Sequence, residues 1–238
     1  MSSRHDTISR SASLIGREHV RLGRNNQDGV FVSTRGETCV AVVTDGCSSQ
    51  PFSEVGARLG ARALVMMTLA LEHVALAELP NVAMEHLTAW LDRLVRSVEV
   101  DDATAVLEQY GLFTVLCAVQ RGPECVVFGS GDGAVFVDGQ LTRLDSGDDN
   151  APAYVGYRLT GKSVPARVHH LGPARRVALA TDGVDGWLSR SPDGLRVLLD
   201  EPHVWTNPVH LQRRLNVLNE TERFTDDTTL AVLDTREL

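Results

Sequence analysis

No stretch of the chain approaches the ~18 consecutive apolar residues that a membrane-spanning helix requires. The nearest, Ala61 to Leu79, is interrupted by Arg62, Glu72 and His73, so no membrane partner is expected. A Lys/Arg block is also missing. With a formal net charge of −8 and only three Trp and three Tyr, the composition argues against a nucleic-acid backbone as partner. The four cysteines, Cys39, Cys47, Cys117 and Cys125, show no Cys-x-x-Cys spacing; a zinc or dithiol motif is excluded, and buried free thiols are expected. Met1-Ser2-Ser3-Arg4-His5-Asp6 carries no secretory apolar region, which points to a cytoplasmic protein. No Pro/Gly/Ser linker divides the chain, so residues 1–238 read as one domain, with 1–10 polar and loose.

One phrase is present twice. Ala41-Val42-Val43-Thr44-Asp45-Gly46 and Ala178-Leu179-Ala180-Thr181-Asp182-Gly183 are both short apolar runs ending on Thr-Asp-Gly. Runs of this length read as buried strands, each with its Asp where the strand leaves the sheet. Asp-Gly by itself is a hairpin signal, but a hairpin needs a second strand at once. Both copies lead instead into a loop and a helix-like segment. Asp28, after Asn25-Asn26-Gln27, and Asp226-Asp227, before the run Thr228 to Leu233, add further carboxylates. Brought together, these oxygens would suit hard divalent cations and a metal-dependent hydrolase.

Other elements follow from periodicity and turn signals. Short strands are expected over Ser13–Val20 and Gly29–Ser33, with a clear one over Thr38–Asp45. Helices follow over Ser53–Leu76, with Gly56, Ala57, Gly60 and Ala61 on one face against a sheet, and over Val82–Val98. Four runs (Phe113–Gln120, Glu124–Gly129, Ala134–Val137 and Leu141–Leu144), separated by turn residues, read as an antiparallel meander. A polar loop over Ser146–Tyr154, a strand over Arg175–Thr181, helices over Leu195–Leu199 and His210–Leu218, and a closing strand over Thr228–Leu233 complete the chain. Strands and helices in blocks favour α+β, as two packed antiparallel sheets with helices on both outer faces.

Four motifs in order carry a family resemblance: Gly16-x-x-His19 leading to Asn26-Gln27-Asp28; Asp45-Gly46 followed by Ser53-x-x-Gly56-Ala57; Gly131-Asp132-Gly133; and Thr181-Asp182-Gly183 with Asp226-Asp227-x-Thr229. Together they resemble the PP2C-type (PPM) metal-dependent protein phosphatases, bacterial branch, over essentially the whole chain. The resemblance implies a four-layer sandwich and a binuclear Mn²⁺ or Mg²⁺ centre. Asp45 then matches the carboxylate that bridges the metals, Gly46 a backbone-carbonyl ligand, and Asp182 and Asp226 the remaining carboxylate ligands. Asp28 matches a supporting position, and Asp132 falls where some members hold a third ion; as a residue alone it reads equally as a hairpin Asp. The implied activity is hydrolysis of phosphoserine and phosphothreonine in protein substrates, with a cognate kinase as a further partner. The alternatives are a non-catalytic phosphatase-like module that binds a phosphoprotein or regulates a kinase, and a hydrolase of small phosphorylated molecules.

The pattern departs in three places. Cys47 stands where many eukaryotic members place a His proposed as proton donor, which assigns that step to His19 or a metal-bound water and leaves Cys47 open as plain filler. The phosphate-gripping Arg has no residue at the expected spacing; Arg21 and Arg24 are both near, and Arg24 is preferred. Gln27 replaces a common Glu and removes one charge near the metals. His169 and His170, on a strand-like stretch, read as packing residues, and Trp187 reads as core or as groove wall.

Overall fold

A computed structural model describes residues 5–98, 102–145 and 152–237. Two five-stranded antiparallel sheets stack face to face. One is built from β2 (Asp28–Arg35), β3 (Thr38–Gly46), β4 (Phe113–Arg121), β5 (Glu124–Ser130) and β8 (Arg167–Pro173), in that order. The other runs β1 (His5–Leu14), β10 (Thr228–Glu237), β9 (Arg176–Ala180), β6 (Gly133–Val137) and β7 (Gln140–Leu144).

The apolar run of β3 is continuous because both of its faces are covered, and successive side chains alternate between them. Cys39, Ala41 and Val43 point between the sheets and meet Leu116, Ala118, Val127, Leu179 and Leu233. Val40 and Val42 point outward, into a layer made by α2 (Ser53–Ala70), α3 (Leu79–Ser97) and α4 (Ala103–Tyr110). On the opposite outer face, Phe136, Ala178, Leu230 and Val232 pack under Trp187, Leu195, Leu199, Trp205 and Leu215. Those residues belong to α5 (Asp185–Arg190), α6 (Gly194–Asp200), α7 (Pro202–Thr206) and α8 (His210–Glu222). The result is the expected helix–sheet–sheet–helix sandwich.

Several local expectations need correction. Residues 5–10 are not loose: they begin β1, paired residue for residue with β10 from His5↔Glu237 to Leu14↔Thr228. The strand expected over Ser13–Val20 stops at Leu14, and α1 (Arg17–Leu22) follows. At Gly16, just before α1, the chain lies against the loop that precedes β10, where a Cβ would come within 2.3 Å of the Asp226 backbone. Helix α2 ends at Ala70, short of Leu76, and α4 is an element the periodicity did not show. Ala57 and Ala61 do meet the sheet core, while Gly60 makes room for the Phe113 ring.

The meander is the largest correction. β4 pairs with β5 and β6 with β7, but β5 and β6 lie in different sheets. Gly131-Asp132-Gly133 is therefore a crossing between layers, not a hairpin. Gly131 (φ 99°) and Gly133 (φ 117°) supply the left-handed backbone for it, a region that glycine enters without steric cost. Most of the expected polar loop, residues 146–151, lies outside the described residues.

Candidate metal centre

Antiparallel pairing carries the acidic residues to one edge. Where neighbouring strands alternate in direction, the start of one lies beside the end of the next. Asp28 opens β2 and Asp45 nearly closes β3; the two are direct cross-strand partners. In the other sheet Asp182 follows the end of β9, Asp132 precedes β6 and Asp226-Asp227 precede β10, while Ala180 pairs with both Ala134 and Leu230. The doubled Thr-Asp-Gly phrase thus places one carboxylate on each sheet at the same rim.

In both copies the glycine is required by close approach. A Cβ on Gly46 would lie 2.7 Å from Ser53 Oγ and 2.8 Å from the Gln27 carbonyl. One on Gly183 would lie 2.0 Å from the Asp227 carbonyl. The Gly46 amide also donates to the Gln27 carbonyl at 3.1 Å, so the loops beneath each Asp are locked to neighbouring chain.

A polar strut joins the sheets under the acids. Thr181 Oγ1 donates to Asp28 Oδ2 at 2.8 Å and accepts from the Thr229 amide at 3.0 Å. Asp227 is a second strut: its oxygens accept from the Gly16 and Gln27 amides at 2.7 and 2.5 Å and meet His19 Nδ1 at 2.7 Å. Gln27 donates to the Gln50 carbonyl and to Ser53 Oγ, both at 2.8 Å. A glutamate could not donate either bond, so the Gln27 departure has a structural reason in this chain: it ties down the loop after Asp45.

The carboxylates repel one another. Burial, then Asp28, Asp182, Asp226 and Asp132 in turn, push Asp45 well above the usual carboxylate range, although one edge of it faces solvent. Asp28 is raised first by burial and further by Asp227 and Asp182, against the bonds from Thr229 and Thr181. Asp182 rises to about 7 through burial and its neighbours Asp132, Asp226 and Asp185, partly offset by a hydrogen bond with Asp45. Asp132 is likewise raised by burial and by Asp185 and Asp226. Asp185, which the sequence motifs did not single out, joins the cluster from the first turn of α5; its own upward shift comes from burial, eased by Arg143.

Among the described residues none of these aspartates, nor Asp226, forms an ion pair, and Asp28 Oδ1, Asp132 Oδ1 and Asp185 Oδ1 are buried without a hydrogen-bond partner. Desolvated carboxylates without cations are costly, and hard oxygen donors fit Mg²⁺ or Mn²⁺. The donor set therefore fits divalent cations. The tightest group of ligand-type atoms among the described residues is a different one, His19, Asp226 and Asp227, all within 4.8 Å of one another. Within it His19 and Asp227 bond each other and Asp227 already accepts two amides, while the exposed Asp226 is engaged by a single bond, its Oδ1 accepting the Asp227 amide at 2.8 Å. Asp45, Asp182 and Asp226 interact electrostatically but do not close to that distance as a set.

The remaining residues divide clearly. Arg24 donates to the Ser48 carbonyl and lines a cleft with Glu18, His19, Thr225 and Asp226, whereas Arg21 turns to the exposed Glu18 at 2.7 Å. Cys47 is buried, its amide donating to the Leu112 carbonyl and its sulfur 3.1 Å from Ser49 Oγ. Tyr154 lies beside it: burial and a hydrogen bond with the Cys47 thiol, with Asp45 and Asp132 nearby, push the phenol upward. Its backbone neighbour is pinned by Ser130 Oγ donating to the Ala153 carbonyl at 2.9 Å. No motif announced Tyr154 or Asp185; the signal in each case is spatial. Trp187 is core, edge-on to Phe224 with ring centroids 6.4 Å apart, and also borders a cleft with Asp182. His169 and His170 lie on the edge strand β8, where His170 meets the Gly172 carbonyl.

The fold has solved counterparts. A bacterial serine phosphatase carrying a point mutation superposes with a TM-score of 0.69 at 15% identity, covering 100% of both chains. The catalytic domain of the serine/threonine protein phosphatase PstP, in complex with two manganese ions, gives 0.57 at 20% identity, covering 98% of this chain and 100% of that one. RsbX in complex with magnesium gives 0.59 at 13%, covering 99% and 98%. No curated protein matches in sequence. No helix among the described residues is long and apolar enough to cross a membrane. The family model for protein phosphatase 2C matches residues 15–220; with the sandwich and the acidic rim in place, the chain belongs to the protein phosphatase 2C family.

Proposed function

We propose that the chain is an active, cytoplasmic, metal-dependent phosphatase of phosphoserine and phosphothreonine proteins, holding two Mn²⁺ or Mg²⁺ ions. Asp45, the Gly46 carbonyl, Asp182 and Asp226 hold the ions, Asp28 supports them, and Asp132 with Asp185 offers a place for a third. The single observation that carries this reading is the rim of six aspartates, none in an ion pair among the described residues, in a protein phosphatase 2C chain. When bound, such ions activate water and neutralise charge on the phosphoryl group. The protein's own part is positioning and electrostatics, the main needs of phosphoryl transfer. Arg24 orients the phosphate from beside Asp226. Asp227 fixes the His19 ring through Nδ1, leaving Nε2 as the atom that exchanges a proton with the departing alkoxide. Tyr154 presents a hydroxyl beside Cys47, itself a poor proton donor.

The test is Mn²⁺-dependent hydrolysis of p-nitrophenyl phosphate and of a phosphothreonine peptide. Asp45→Asn and Asp182→Asn are each expected to lower kcat/KM by about 10²-fold or more, in line with loss of a metal's charge stabilisation. Folded wild-type protein that binds the phosphopeptide without turning it over in any divalent metal would refute the phosphatase reading and favour the regulatory module. Turnover confined to small phosphorylated molecules would move the substrate class.

A further inference from the structure

Two arginines near Asp226, Arg24 and Arg223, form no ion pair among the described residues. Arg24 lines one cleft with Thr225 and Asp226, and Arg223 lines a second cleft that shares those two residues and includes Asp182, Asp185 and Phe224. The other arginine of that second cleft, Arg190, is engaged by Glu222 at 2.8 Å. Arg223 is exposed, and among the described residues its side chain forms no ion pair or hydrogen bond.

Its backbone is unusual as well. Arg223 caps the C-terminus of α8 at φ 52°, ψ 61°, in the left-handed region, where glycine and asparagine are favoured because a Cβ is crowded. The other non-glycine residue with positive φ among those described is Asp138. There the carboxylate accepts the Arg175 and Arg176 amides, a local compensation. Arg223 receives none from its side chain, yet it stands at the lip of the acidic rim. Asn219 holds the backbone there, its carbonyl accepting the Arg223 amide at 3.1 Å and its Oδ1 the Phe224 amide at 3.0 Å, so the arginine side chain takes no part in the cap; a non-glycine residue in this region at such a place points toward function.

We propose that Arg223 is a substrate-binding residue that receives the phosphate of a phosphomonoester bound over Asp182 and Asp226. This rests on the phosphatase reading above. A guanidinium fork matches phosphate oxygens in pairs, and an anionic substrate approaching a rim of carboxylates needs cations on its flanks. A long arginine at a position that suits glycine gives up some stability for reach into the cleft.

That exchange makes the test unambiguous, because the neutral variants suit the backbone better. Arg223→Gly and Arg223→Asn are expected to raise Tm by about 2–4 °C. In the same proteins KM for p-nitrophenyl phosphate with Mn²⁺ should rise by about 5- to 20-fold, with kcat changing less than KM. Wild-type KM in both folded variants overturns the proposal. If the wild type turns nothing over, the phosphatase reading fails separately, and calorimetric titration of the Mn²⁺-loaded proteins with inorganic phosphate decides the role of Arg223. Weaker binding in both variants upholds it, and equal affinity overturns it.

Discussion

The two rims of the sandwich treat buried aspartate in opposite ways. At the rim away from the cluster, Asp234 of β10 is fully buried, but Arg236 donates to Oδ2 at 2.6 Å, and Arg175 and Arg176 approach Oδ1 at 3.5 and 3.6 Å. At the near rim Asp28, Asp45, Asp132, Asp182 and Asp185 form no ion pair among the described residues, Asp185 alone being eased by Arg143, and their proton affinities are raised. The same sheet, ending in the same residue type, neutralises charge internally at one end and leaves it open at the other. A chain able to pair Asp234 three times over could have paired Asp45. The near rim leaves its charge without internal cations, as the proposed metal centre requires.

Stability separates the two rims most sharply. Asp234→Asn removes the buried carboxylate around which three arginines gather; breaking a fully buried pair costs about 3–5 kcal/mol. Because the arginines are partly exposed, the lower end of that range is expected, and thermal melting should show a fall in Tm of about 6–12 °C. Asp45→Asn is expected to do the reverse in metal-free protein, raising Tm by relieving repulsion while abolishing most of the Tm gain on adding Mn²⁺. Equal destabilisation by both substitutions would erase the distinction between the rims.

Acidity gives a second contrast. The near-rim carboxylates have folded-state pKa values above their unfolded values, about 7 in the case of Asp182. The folded, metal-free protein then binds more protons than the unfolded chain between about pH 4 and 7. Its stability is full below that window and falls as pH rises through it, by roughly 1.4 kcal/mol per pH unit for each excess proton. Bound Mn²⁺ should flatten or invert the slope. Denaturant melts across that window, with and without metal, measure it; a metal-free slope of the opposite sign would contradict the assigned proton affinities.

The smallest effect concerns the wall of the site. Tyr154→Phe keeps the ring beside Tyr157, with centroids 5.6 Å apart, and removes only the hydroxyl. Loss of one hydrogen bond of about 1 kcal/mol corresponds to a roughly fivefold fall in kcat. Steady-state kinetics at saturating Mn²⁺ reads it. An unchanged kcat would make Tyr154 only a packing partner of Cys47.

Much of the near rim was legible in the residues. Thr-Asp-Gly after a buried run marks a strand end, and the absence of a returning strand separates Asp45 and Asp182 from ordinary hairpin aspartates. The crossing at Gly131-Asp132-Gly133 was misread because a turn within one sheet and a step between two sheets use the same glycines. Helix α4, only eight residues long, offered too few turns for periodicity to show. Residues 5–10 looked loose because their sequence is polar; the partner strand β10, more than 200 residues away, orders them through backbone pairing.

The sequence by itself determined the alternation that buries both faces of the central strands, the strand ends that carry aspartate, and the glycines that let neighbouring chain pass close beneath them. Those are local matters of side-chain period and backbone sterics. Only the tertiary structure decided that Asp28 faces Asp45, that Asp227 rather than Asp226 anchors His19, that Tyr154 and Asp185 join the cluster, and that Arg24 and Arg223 line clefts that share Asp226. These depend on antiparallel register and on which sheet each strand enters, and both are fixed by packing between segments distant in the chain.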